Sequence, residues 1–302
     1  MPTESKPTQF VTLQNQMREL LTKLRENEPT LYSTGLRSLD DLIGGGYAPG
    51  EVVVIAAITS HGKTMVGLQL AWAASAVGHS VLIVSEEMTV GVLSERAIET
   101  ASEIERSEWR SNLDLVFDEV IDWEDSHNGK VLVPSVPCHS VARMVETVGQ
   151  AVVHFGVKIV VIDYLQLISA PGSNRYEQVT NVSIAAKQIA TEHGVSVIAL
   201  AQFNKQAELE VMPKMYQIAD SSQIPKDADV VIVCKWPWKS DPDNTQDPKR
   251  YIMSVKKNRN RPIVHWEIEG KFEPARQKIT AELPTTTTDR FDEFDRNDET
   301  EW

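Results

Sequence analysis

Val52-Val53-Val54-Ile55-Ala56-Ala57-Ile58-Thr59-Ser60-His61-Gly62-Lys63-Thr64 decides how this chain is read. A β-branched apolar run ends in a loop of small residues closed by Gly-Lys-Thr. A helical pattern follows at once, from Met65 to Val77. Strand, loop and helix in that order make a phosphate-binding loop, in which backbone N–H groups and a helix N-terminus converge on an anion. Ala57, Thr59, Ser60, His61, Gly62 and Met65 are expected to line the anion. Lys63 is expected to reach the outer phosphates, and the Thr64 hydroxyl to ligate magnesium. The first glycine of the usual G-x-x-x-x-G-K-[ST] pattern is replaced by Ala57.

Outward from that loop the chain alternates. Apolar runs at Ser80–Val84, Val131–Val133, Ile159–Ile162, Val195–Ala199, Val230–Val233 and Tyr251–Val255 read as further strands. Helical periodicity covers Val90–Ala101, Val141–Phe155 and Glu177–His193. Such alternation predicts an α/β fold: a mostly parallel twisted sheet with helices on both faces. Trp236–Pro248 reads as a loop from its turn residues, and Tyr251–Lys257 with Ile263–Ile268 as a closing antiparallel hairpin. The expected organisation is an arm over 1–33, a domain carrying the phosphate-binding loop over 34–280 and a tail over 281–302. In the arm, Leu13, Met17, Leu20, Leu21 and Leu24 recur at helical spacing beside Arg18, Glu19, Lys23 and Arg25. In the tail, eight acids against two arginines carry nearly half of the net charge of −13. That composition predicts disorder.

Composition narrows the function. No apolar run approaches the ~20 residues of a membrane span, and the first residues show no signal-peptide pattern, so a cytoplasmic location is expected. Cys138 and Cys234 lie far apart and form no C-x-x-C, which fits buried thiols rather than a disulfide or a zinc site. A net charge of −13 means that any nucleic acid must be met by a local basic surface.

Val157–Asp163 is an apolar strand ending in an acid. In a parallel sheet that end faces the ligand crevice, so Asp163 can hold magnesium beside Thr64. Ser80–Val84 leads into Ser85-Glu86-Glu87-Met88, where either glutamate is placed to accept a proton from an attacking water. Val195–Ala199 leads to Gln202 and Asn204, amides placed to contact a γ-phosphate. Lys256-Lys257-Asn258-Arg259-Asn260-Arg261 is the densest basic cluster. It reads as an arginine finger in trans, as a phosphate-backbone contact, or as a solvated turn.

Taken in order, these pieces resemble the C-terminal ATPase domain of the DnaB-type replicative helicases, a branch of the RecA-like ATPases, from Thr34 to about Glu273. Thr34–Asp40 with the glycines at 44–46 resembles the family's opening segment. Ala57–Thr64 matches its phosphate loop, which commonly begins with Ala. Ser85-Glu86-Glu87-Met88 is similar to S-L-E-M, and the resemblance selects Glu87 as catalytic base. Ile162-Asp163-Tyr164-Leu165-Gln166-Leu167 is the most specific match. Ala201–Asn204 resembles S-Q-L-N and implies that Gln202 senses the γ-phosphate. Lys257–Pro262 aligns with K-Q-R-N-G-P, implying that Lys257 and Arg259 act on a neighbouring subunit's nucleotide.

Two departures stand out. The family's second DNA-facing loop carries Arg and Gly, whereas this chain has Ala219, Ser221 and Ser222, leaving backbone N–H groups and Lys226 for contact; Arg175 remains in the first loop. The family's N-terminal helical collar has no counterpart, and the arm resembles the linker helix that docks on the next subunit. The resemblance thus implies a phage- or plasmid-like hexameric ring, using ATP and Mg2+ to move along single-stranded DNA. A bacterial host cytoplasm is its implied setting. The acidic tail, with Phe291, Phe294 and Trp302, would recruit a replication partner such as a polymerase, primase or single-strand binding protein. A RecA-like filament or annealing factor is the alternative, and a regulatory ATPase without DNA contact a third; ring or filament shape, and stimulation by single strands, separate them.

Overall fold

Alternate residues of strand β1 (Val52–Ala57) face opposite sides of a sheet, and both sides are dry. Val52, Val54 and Ala56 join one apolar cluster, and Val53, Ile55 and Ala57 join another. A strand buried on both faces reads as a continuous apolar run, which is why no polar alternation marks it. Each such Val or Ile contributes about 1.5–3 kcal/mol relative to exposure. The computed structural model describes residues 11–26, 30–241, 243, 245–263 and 267–282.

The other strands are β2 (Val81–Ser85), β3 (Val131–Leu132), β4 (Ile159–Asp163), β5 (Ser196–Gln202), β6 (Val230–Lys235), β7 (Arg250–Asn258), β8 (Glu267–Glu273) and β9 (Lys278–Glu282). They form one sheet in the order β3-β2-β4-β5-β1-β6-β7-β8-β9. From β3 through β6 all pairings are parallel, so these strands end on one edge. Strands β7 to β9 run antiparallel beyond β6.

The helices are α1 (Leu13–Arg25), α2 (Arg37–Leu42), α3 (Lys63–Ala76), α4 (Val90–Ser102), α5 (Leu113–Asp125), α6 (Val141–Phe155), α7 (Arg175–His193), α8 (Gln223–Asp227) and α9 (Pro237–Ser240). Met144 and Val148 of α6 and Val179, Val182 and Ile189 of α7 cover one face; Leu39 and Leu42 of α2 and Leu70 and Ala71 of α3 cover the other. Local chemistry sets the helix ends. Ser140 and Asn174 cap α6 and α7 through the Arg143 and Glu177 N–H groups, and left-handed Gly156 and Gly194 stop them.

Several expectations need adjustment. Helix α5 was not anticipated, and α9 is a short turn of helix inside the expected loop. The closing hairpin is a three-stranded antiparallel extension. Its second strand begins at Glu267 rather than Ile263, with 264–266 outside the described residues, and its third, β9, runs from Lys278 to Glu282. At the other end, Tyr32 pairs with Tyr47 through backbone bonds of 2.7 and 3.0 Å, and Ser33 donates its hydroxyl to Asp40 at 2.5 Å. These bonds tie the last residues of the arm into the domain.

The expected arm helix is present as α1. Its Leu13, Met17, Leu20, Leu21 and Leu24 are all exposed, and none of its residues is buried. The acidic stretch from 283 onward lies outside the described residues. Among the described residues no helix is long and apolar enough to cross a membrane.

Candidate functional site

The parallel edge brings four chemistries together. β1 delivers the loop 58–62, and α3 starts at Lys63 behind Gly62, whose φ is +79°. A side chain at Gly62 would be strained by that φ and would press on the Tyr251 hydroxyl 3.3 Å away. β4 delivers Asp163 beside Ser85 of β2, so the residues after β2 face the loop. Lys63 Nζ lies 3.0 Å from Asp163 Oδ1 and 2.6 Å from Glu87 Oε2. Thr64 donates its hydroxyl to Asp163 Oδ2 at 2.8 Å. Lys63 also sits 4.2 Å from the centre of the Tyr164 ring.

Burial pushes the Asp163 carboxyl above the usual carboxylate range, against the opposing pull of Lys63 and Thr64. A buried carboxylate beside a hydroxyl is a hard oxygen pair. It suits magnesium, which keeps several waters and takes few protein ligands beside substrate phosphates. Thr64 and Asp163 would hold it.

The two glutamates, indistinguishable by composition, separate here. The side chain of Glu86 is 1% exposed, that of Glu87 45%. Glu86 accepts from the Cys138 and His139 N–H groups at 2.8 and 2.9 Å, holding a distant loop. Glu87 faces Lys63.

Gln202 donates to Thr59 Oγ1 at 2.5 Å, linking the end of β5 to the phosphate loop. Its backbone is gripped by Gln166, a buried side chain whose amide also donates to the Ala219 carbonyl at 3.3 Å. His61 points away from the crevice. Its Nδ1 accepts from Trp236 N at 3.0 Å, and burial, then Lys235 and Lys239, lowers its pKa to about 4, so the ring is neutral. Tyr251 donates to the His61 carbonyl at 2.7 Å, and Trp236, Phe272 and Tyr251 pack in series as an aromatic wall beside the loop.

Lys257 and Arg259 are not in this cluster. Asn258 of β7 pairs with Val230, while Ala57 pairs with Cys234, so the basic segment lies four strand residues, about 13 Å, toward the opposite edge. A β-bulge between Val231 and Ile232 precedes the turn. Lys257 donates to the Pro225 and Lys226 carbonyls at 2.8 and 3.1 Å. Arg259 contacts Asp229 at 3.3 Å and the Lys226 carbonyl at 2.8 Å. Arg175 and Lys226 are likewise apart: Arg175 bonds Asp220 and the Gln166 carbonyl, whereas the Lys226 backbone meets the basic segment.

Sequence reading gave no role to Gln166, Asp220, Asp229 or the aromatic wall. Gln166 stood within a recognised motif, but its reach to 202 and 219 had no sequence signal. Spacing gave none for Trp236, Tyr251 and Phe272 either, which converge only through β6, β7 and β8.

The family model of the DnaB-like helicase C terminal domain matches residues 32–280. A replicative DNA helicase DnaB from Leifsonia xyli subsp. xyli is 28% identical over 260 residues, covering 80% of this chain and 54% of that protein. A solved ATPase domain is similar at 22% identity with a TM-score of 0.77, covering 90% of this chain and 99% of its own. A DnaB-like replicative helicase, solved in a study of its interactions with primase, is 22% identical with a TM-score of 0.74, covering 90% of this chain and 67% of that one. At such identities the solved structures show the fold alone, a RecA-like core. The chain spans about half the length of the curated relatives it matches.

Proposed function

The chain belongs to the DnaB-like helicase C terminal domain family, and on that premise we propose that it is an ATP-driven motor of a replicative DNA helicase, working as a hexameric ring on single-stranded DNA. One observation carries the proposal. Lys63, Thr64, Glu87 and Asp163 gather at one edge of the sheet, while Lys257 and Arg259 lie about 13 Å toward the other. A hydrolytic set that needs both halves is completed between subunits, not within one.

In this reading the loop 58–62 and the N-terminus of α3 receive the phosphates. Lys63 leaves its two carboxylates for the outer phosphate oxygens. Thr64 and Asp163 would hold a magnesium ion, which would supply positive charge to the phosphates. Glu87, freed from Lys63, takes a proton from the attacking water. Lys257 and Arg259 of the next subunit face the leaving charge. Gln202 exchanges Thr59 for the γ-phosphate and passes its loss to 219–226 and to Arg175, which hold the strand together with Lys226.

Ring closure has a candidate joint. Exposed α1 carries leucines with Arg18, Lys23 and Arg25 against one acid, and α5 exposes Leu113, Phe117 and Ile121 among six acids. These surfaces suit each other between copies. The acidic tail is proposed to recruit a replication partner through Phe291, Phe294 and Trp302.

The test mixes two inactive variants, Lys63→Ala and Arg259→Ala. Each alone should lose strand-stimulated ATP hydrolysis. In an equimolar ring about a quarter of the interfaces pair an intact loop with an intact finger, so up to a quarter of the rate should return. No recovery at any ratio, with rings present by native mass, would sink the shared site.

A further inference from the structure

Away from the nucleotide cluster, the first turns of α7 are joined to the segment 219–227 by a row of polar contacts. Tyr176, Thr180 and Ser183 fall at i, i+4 and i+7, one face of the helix. The Tyr176 hydroxyl meets Ser222 Oγ at 2.8 Å, Thr180 meets Ser221 at 2.8 Å, and Ser183 donates to Asp227 at 2.7 Å. At the head of this row Arg175 Nε donates to Asp220 Oδ2 at 3.2 Å, and its Nη2 donates to the Gln166 carbonyl. Both side chains of the pair remain open to solvent, 47% for Arg175 and 37% for Asp220. Asp220 takes a left-handed φ of +68°, a conformation that Asp and Asn accept more readily than most residues.

We propose that Arg175–Asp220 is a latch: Asp220 holds the guanidinium until a phosphate of single-stranded DNA displaces it. The inference rests on the assignment of Arg175 as a strand contact under Proposed function. A guanidinium presents the same fork of donors to a carboxylate and to a phosphate, so the two compete for it. The row of hydroxyl contacts keeps 219–227 docked on α7 after Arg175 leaves. Asp220 therefore stays within reach and closes the latch again when the strand departs. Because the pair is half exposed, it sets a threshold and does not block binding; removing the competitor is worth up to about fivefold in affinity at each engaged subunit.

The experiment measures binding of labelled oligothymidylate by fluorescence anisotropy, using the full chain with a slowly hydrolysed ATP analogue. Asp220→Asn keeps the shape and the backbone preference while removing the charge. It should bind two- to fivefold more tightly than the wild type, and Asp220→Gly, which also accepts the φ, should change affinity in the same direction. Arg175→Ala should bind more weakly, and adding Asp220→Asn to it should recover nothing. Binding by Asp220→Asn where the wild type binds none would mean that Asp220 blocks the strand outright, and would overturn a latch of this strength. If the wild type binds and Asp220→Asn is no tighter, the latch is overturned and the motor reading stands. A gain that persists without Arg175 would be general charge removal and would overturn the latch as well. Absence of binding by every variant would remove both the latch and the motor.

Discussion

Glu51, just ahead of β1, and Asp163, at the end of β4, are buried carboxylates near opposite ends of one sheet, and their surroundings differ. Glu51 is saturated. Arg261 donates to it twice, at 3.0 and 2.7 Å, Asn260 at 2.6 Å, and the Ala48 N–H at 2.8 Å. Although burial pushes it upward, these partners hold its pKa below the ordinary value. Asp163 has Lys63 and Thr64, and burial still prevails, holding its pKa above the ordinary value. The Glu51 end is a finished joint between the basic segment and the start of the sheet. At the Asp163 end, the chain alone supplies less positive charge than the buried acid can use. That deficit fits the role proposed for Asp163, beside magnesium and a triphosphate.

The largest expected effect separates the ends by chemistry. Glu87→Gln should cut hydrolysis by about 10²- to 10⁴-fold while retaining nucleotide binding. Glu86→Gln, acting at a buried cap, should instead lower thermal stability. Steady-state ATPase assays beside nucleotide titration distinguish the two; equal losses of rate would erase the distinction between adjacent glutamates.

Next in size is stability. Arg261→Met leaves Glu51 buried without its fork and should cost about 3–5 kcal/mol in denaturant unfolding. Asp163→Asn, which removes a charge that burial disfavours, should cost far less stability than Arg261→Met yet turn over no ATP. A heavy loss from Asp163→Asn would mean that Asp163 is as structural as Glu51.

The smallest effect is in pH. Stability from Glu51 is fully present above the ordinary glutamate range and drains as pH falls through its lowered pKa. The cost of ionised Asp163 runs the other way and is relieved as pH falls through its raised pKa. On acidification Glu51→Gln should therefore lose less stability than the wild type and Asp163→Asn more. Melting curves between neutral and acidic pH check the signs, and parallel curves for all three proteins would remove the contrast.

Legibility followed distance along the chain. The phosphate loop could be read because strand, turn and helix N-terminus are contiguous from Val52 to Ala76. Helix α5 had its signal in Leu113, Val116, Phe117 and Val120 at helical spacing, unread among six acids. Glu86 and Glu87 could not be told apart locally, because what distinguishes them is a loop 52 residues away. Arg175 stood out as a cation in its loop, but nothing nearby announced Asp220, 45 residues on, as its partner.

The residues by themselves determined an α/β alternation, an anion-binding loop and the family resemblance. Backbone propensity, apolar periodicity and the geometry of a glycine turn all act over a few residues. The tertiary structure alone decided which carboxylate meets Lys63, which is spent on a backbone cap, and that the basic segment lies at the far edge. Those outcomes depend on strand order and on the antiparallel return of β7, which pairs Asn258 with Val230 rather than with the residues beside the loop.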